Sequence, residues 1–178
     1  MQKEDFAFLD FEASSLSGGS WPIEVGISTL HEDVNDIRVE TWSSLIYPHP
    51  SWDRAEWSWQ SADVHGLKFQ DLEQAPDAEH VAHEVLKRLT RKIVVCDAPD
   101  FDGRWLRKLL MSTGSCPVIN LNDFDQAAFS TFEGASLDML YETLEKTRVP
   151  HRAGPDSARL AKAWAVGMKV APDSVPRP

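Results

Sequence analysis

Positive charge is scarce in this sequence: 18 Lys and Arg stand against 28 Asp and Glu in 178 residues, a formal net charge of −10 at pH 7. Bulk attraction for a long polyanion is thereby excluded, and any nucleic acid must be held by local contacts. Cysteine is rarer still. Cys96 and Cys116 occur without CxxC pairing or a His spacing, so neither a disulfide framework nor a zinc site is expected, and both read as reduced, buried thiols. No apolar run approaches the ~20 residues that span a bilayer. The start, MQKEDFAFLDFE, lacks the basic, apolar and small-residue zones of a signal peptide. A cytoplasmic protein with no membrane partner is the expectation. Internal repeats and low-complexity segments are missing too.

What is present fits one domain, residues 5–171, with 42% hydrophobic and 26% charged residues, near the globular averages. The ending APDSVPRP holds prolines that no helix would continue, so residues 172–178 are expected to form a flexible tail. Three runs rich in β-branched and aromatic residues, 5–12, 23–30 and 37–47, are separated by short breaks and predict an antiparallel meander. A Trp- and Pro-rich stretch follows. Val81, Val85, Leu86 and Leu89 then predict a helix over 76–89, followed by a strand at 92–97, a helix at 101–111 and a strand at 117–121. Helices at 137–146 and 156–166 close the chain. A meander followed by alternating helices and strands gives an α/β fold: an RNase H-like mixed five-stranded sheet with helices packed on its faces.

The first strand carries the chemistry. Phe6 and Phe8 lie on one side and Ala7, Leu9 and Phe11 on the other, as in a central strand buried on both faces. Asp10 and Glu12 then project from one face, a single pleat apart. Two ionised carboxylates in a dry crevice cost several kcal/mol unless protonated, paired or given a cation. FDGRWL places Asp102, and HRAGPDSARLAKAW places Asp156, at the start of helices. In an open α/β sheet such element ends converge on a shared crevice, where hard oxygen donors favour Mg2+ or Mn2+.

With these residues in place the sequence resembles the DEDDh, DnaQ-like family of 3′ to 5′ exonucleases, the group of RNase T, oligoribonuclease and proofreading exonuclease domains. DFEASSL resembles its first motif, VVCDAPDFDGRWL its second and HRAGPDSARLAKAW its third; VHGLKFQDLEQAP resembles a connector between sheet and first long helix. The resemblance implies two Mg2+ or Mn2+ ions per active site held by Asp10, Glu12, Asp102 and Asp156. It makes His151 the base toward the attacking water, with activity rising with pH as an imidazole loses its proton. Release of nucleoside 5′-monophosphates from single-stranded RNA or DNA 3′ ends is implied. The chain departs from the family at Ala13 and Ser15, where Thr and Gly are frequent, and at Asp97, where Asn is. Asp97 reads either as a further acid near the metals or as a structural residue at its strand end.

For substrate holding, the resemblance implies that Leu16 wedges between terminal bases, that backbone groups from Ala13 to Leu16 touch the terminal sugar, and that His65 lines the nucleotide pocket. Core packing of Leu16 and capping of the next turn by His65 are the competing readings. Trp42, Trp52, Trp57 and Trp59 could stack on bases or pack inside, with Trp57 and Trp59 nearest His65, and the stretch could serve a homodimer interface. Lys87, Arg88, Arg91 and Lys92, and Arg104, Arg107 and Lys108, read as solvated helix faces or as a track for the strand. Glu24 reads as a packing or hydrogen-bonding residue at the sheet end. Two other functions compete: a catalytically degenerate exonuclease-fold domain that binds nucleic acid or a polymerase, and an RNase H-type endonuclease.

Overall fold

Strand β1 (Phe6–Ala13) lies at the centre because neither of its faces can meet water. Ala7, Leu9, Phe11 and Ala13 join one buried cluster and Phe6 and Phe8 the other. The computed structural model describes residues 6–34, 36–115 and 117–170. The expectations for Asp5, for Cys116 and for the 172–178 tail therefore lie outside the described residues.

Strand β2 (Pro22–Asp33) pairs antiparallel with β1, and β3 (Asp36–Leu45) with β2, forming the expected meander. On the other side β4 (Ile93–Cys96) and β5 (Leu121–Asp123) continue in parallel, giving a mixed five-stranded sheet in the order β3-β2-β1-β4-β5. Helices α2 (Ala78–Leu89) and α3 (Pro99–Leu110) cover the Leu9 face. Helices α4 (Phe124–Thr131), α5 (Gly134–Lys146) and α6 (Ala153–Lys169) cover the Phe8 face. Trp164 of α6 fills the second core, its ring 4.9 Å from those of Phe6 and Phe132 and 5.5 Å from that of Phe8. Asp10 and Glu12 share the Phe8 face by strand alternation, so the helix that packs there can reach them. Among the described residues no helix is long and apolar enough to cross a membrane.

The seat of α6 on the sheet is unusually close. A Cβ on Gly26 would lie 2.0 Å from the Ala153 carbonyl oxygen, and one on Gly154 would lie 2.9 Å from Ser43 Cβ. Only glycine lets the helix start touch the strands there. Ser157 Oγ and Ser28 Oγ, 3.0 Å apart, complete the contact.

Three elements differ from expectation. The fifth strand is Leu121–Asp123 rather than 117–121, since β4 is four residues long and pairs through Val94↔Leu121, Val95↔Asn122 and Cys96↔Asp123. Val118, β-branched but 90% exposed, is left outside the sheet. Helix α1 (Trp59–His65) was hidden within the Trp-rich stretch, bounded by the Ser58 cap and by Gly66 in the left-handed conformation. Helix α4, capped by Asp123, follows β5 directly. The stretch itself packs largely inward. Trp52 is buried, stacked on Trp21 at 6.0 Å; Trp57 packs edge-on to Phe69, and Trp42 lies under Arg88 at 4.2 Å. Of Trp42, Trp52, Trp57 and Trp59, Trp59 alone is exposed, and nothing in the fold bears on a homodimer.

Candidate active site

Three separate elements, β1, α3 and α6, deliver four carboxylates to one end of the sheet. Beyond Phe8 and Val95, where the β1–β4 ladder stops, the chain of β1 has a free edge. Asp102, in the first turn of α3, fills it by accepting backbone hydrogen bonds from Phe11 and Ala98. Asp156 occupies the first turn of α6 and accepts from Arg152 N at 2.9 Å. Both sit where a helix N-terminus favours negative charge.

Asp10, Glu12 and Asp156 each offer an oxygen within 4.8 Å of the others, a spacing one cation could span. Asp102 Oδ2 and Asp156 Oδ1 are buried with no hydrogen-bond partner. An unpaired buried carboxylate oxygen is expensive, and an all-oxygen donor set of this kind suits a hard divalent ion. The residues present therefore fit a hard divalent cation.

The electrostatics say the same. Burial holds the Asp10 carboxyl well above the usual range, and Asp102, Asp97, Glu12 and Asp156 add to it. Burial, with Asp156 and Glu24, pushes Glu12 up to about 8 against the opposing charge of Arg152. Asp102 is likewise pushed up to about 8 by burial and by Asp97. Asp156 is raised by burial, although its hydrogen bond from Arg152 and the nearby His151 and Arg159 oppose the shift. Asp97 is exposed at the rim, yet the protein wall behind it still raises its carboxyl, and its charge acts on all four other acids. Asp97 is not among the three acids whose oxygens lie within 4.8 Å of one another. Cys96 is the buried free thiol expected; burial pushes it up, so it remains an S–H that donates to Asp102.

His151 is exposed, near enough to Asp156 to act on its carboxyl, with φ 54°, a left-handed backbone that costs a side-chain-bearing residue roughly 1–2 kcal/mol. Such strain gathers at functional sites. Ala13 is buried at the end of β1, and the loop after it is firmly held. Ser58 N donates to Ser14 O at 2.8 Å, Ser15 and Ser17 hydroxyls donate to Glu56, and Lys108 donates to the Gly19 and Ser20 carbonyls. This loop presents Leu16 to solvent, 68% exposed, so Leu16 is not core. Ser58 in turn precedes Trp59, 75% exposed, while Trp57 is packed away. His65 is buried; its Nδ1 accepts from Leu67 N at 3.1 Å, and its Nε2 is buried without a partner. It thus caps its turn and still has a donor to offer, with burial favouring the neutral ring. In the basic clusters Arg88 pairs with Glu84 and Lys108 with the loop, so neither is a bare surface charge. Sequence reasoning missed Arg152, which packs between Glu24 and Glu12.

No protein-family model and no curated protein matches the sequence. Solved structures do match. The zinc-bound form of the E. coli ExoI–ssDNA complex superposes with a TM-score of 0.66 at 13% identity, over 94% of this chain and 41% of that one. A full-length 3′-exonuclease gives 0.65 at 18% identity, over 94% of this chain and 61% of that one. Cell-death related nuclease 4 (CRN-4) gives 0.62 at 15% identity, over 92% and 63%. The chain spans less than two thirds of each. It shares the fold of 3′-exonucleases, the RNase H-like α/β sheet.

Proposed function

We propose that this protein is a metal-dependent 3′ to 5′ exonuclease that releases nucleoside 5′-monophosphates from single-stranded RNA or DNA ends. The observation that carries the reading is the convergence of Asp10, Glu12 and Asp156 oxygens within 4.8 Å, beside the unpartnered buried oxygen of Asp102. Asp10, Glu12 and Asp156 would hold one Mg2+ or Mn2+ and Asp10 with Asp102 a second. Bound divalent ions activate water and stabilise charge on the leaving oxygen of a phosphodiester. His151, exposed beside Asp156, takes the proton of the attacking water. Leu16 and Trp59, apolar and exposed on adjoining backbone, clasp the terminal bases, and His65 Nε2–H donates to the terminal nucleotide. Hydrophobic and stacking contacts of this kind let a chain with net charge −10 hold a polyanion.

The test uses 5′-labelled linear and circular single-stranded RNA and DNA, with Mg2+, Mn2+ or a chelator. Stepwise shortening from the 3′ end, nucleoside 5′-monophosphate as product, intact circles and no reaction under chelation are expected. Cut circles would replace the reading with an endonuclease, and linear strands left whole would remove it. Trp59→Ala should raise KM by about 5- to 150-fold with little change in kcat, because one base stacked on an aromatic is worth about 1–3 kcal/mol. Steady-state kinetics on a short oligonucleotide measures this, and an unchanged KM would take Trp59 out of the site.

A further inference from the structure

Glu24 is 4% exposed in β2 and stands directly across the sheet from Glu12. One of its oxygens accepts from an Arg152 terminal nitrogen at 2.8 Å; the other accepts from Arg152 Nε at 2.8 Å and from the Ala153 backbone N–H at 3.1 Å. A two-pronged ion pair of this kind fixes angle as well as distance. Gly26, two residues along the same face, touches the Ala153 carbonyl. The start of α6 is therefore held at Glu24 by charge and at Gly26 by contact, and has one seat on the sheet.

From these contacts, and resting on the exonuclease reading for its catalytic consequence, we propose that Glu24 is a positioning residue. It acts through Arg152 to fix the 151–156 turn, and with it Asp156 and His151, over Asp10 and Glu12.

The linkage runs through named bonds. Arg152, gripped by its side chain, donates its backbone N–H to Asp156 Oδ2 at 2.9 Å and accepts from Asp156 N at 2.9 Å. Those bonds leave Asp156 Oδ1 buried and unshared. His151, the residue before Arg152, has a left-handed backbone, φ 54°, a conformation that persists only where the surrounding structure holds it. Arg152 also offsets part of the repulsion that Glu24 exerts on Glu12 across the strands. A buried ion pair is weak evidence for stability as such, which leaves specification of geometry as the use that fits this one.

The full-length chain is compared with Glu24→Gln, Arg152→Lys and Arg152→Gln by three measurements: amide hydrogen exchange without metal, Mn2+ affinity by calorimetry, and kcat and KM on a labelled oligonucleotide. In Glu24→Gln an amide NH2 is set against the arginine fork. Mn2+ affinity and kcat should each fall at least about tenfold, with KM nearly unchanged, as for groups that orient metal ligands. Exchange at 151–156 should quicken while β1 and β4 stay protected. Arg152→Lys, which keeps the charge and a donor, should lose less than Arg152→Gln. A Glu24→Gln protein with wild-type exchange at 151–156 overturns the proposal. So does one whose melting temperature falls while Mn2+ affinity and kcat remain within about twofold of wild type. Should the wild type prove not to cleave nucleic acid, the exchange measurement alone decides whether Glu24 holds the turn.

Discussion

Asp10→Asn is expected to lower kcat by at least about 1,000-fold and to raise the melting temperature of the metal-free protein. The two effects have one cause. Asp10 lies in the centre of the site, and its carboxyl is pushed up by burial and by the charges of Asp102, Asp97, Glu12 and Asp156. In the proposed reaction it would help to hold the divalent ions. Losing it forfeits several kcal/mol of stabilisation of the developing charge, and every 1.36 kcal/mol is tenfold in rate. Without metal the same carboxylate is a liability, since it competes with its neighbours for the privilege of staying charged. The amide keeps the shape and removes the conflict. Cleavage of a labelled oligonucleotide and thermal denaturation with and without Mn2+ measure both effects. Activity within tenfold of wild type, or an equal rise in melting temperature on adding Mn2+ to both proteins, would remove Asp10 from the metal site.

The sequence showed β1 and its two acids clearly because strand alternation is a local rule: Phe6, Phe8, Asp10 and Glu12 must share a face whatever else the chain does. Asp102 and Asp156 were legible for a related reason, each lying in the first turn of a helix whose apolar spacing is plain. Less was legible where several elements decide together. The extent of the fifth strand depends on the length of β4, and Val118 and Ile119 carry no sign of that limit. Helix α1 has seven residues, too few for a periodicity to stand out among tryptophans. The Glu24–Arg152 pair joins residues 128 positions apart, and neither residue's surroundings in sequence announce the other. Trp57 and Trp59 differ by two positions and have opposite fates, one packed on Phe69 and one in solvent, because a short helix begins between them at Trp59.

In the absence of divalent ions the protein should lose stability as the pH rises from about 5 to about 8, opposite to the usual behaviour of paired carboxylates. Glu12 moves from an ordinary value of 4.5 to about 8, and Asp102 from 3.8 to about 8. Between those limits the folded chain keeps protons that the unfolded chain has released, so rising pH draws the equilibrium toward unfolding. Below the ordinary values both states are protonated and the stabilising contribution is whole; above about 8 it is gone. Even about 2–3 kcal/mol, well under the full shift, corresponds to a fall of about 5–10 °C in the melting temperature of a chain this size. Asp102→Asn should flatten the profile and exceed wild type at pH 8, since Asp102 is 2% exposed and its amide bears no charge to bury. Mn2+ or Mg2+ takes the place of the protons. Adding either at pH 8 should restore the melting temperature of wild type more than that of Asp102→Asn, and metal uptake at pH 7 should release protons, measurable by calorimetry in buffers of different ionisation enthalpy. A metal-free melting temperature that rises steadily from pH 5 to 8, alike in wild type and Asp102→Asn, would mean that the crevice carboxyls are not held up by burial, and that a cation has nothing there to relieve.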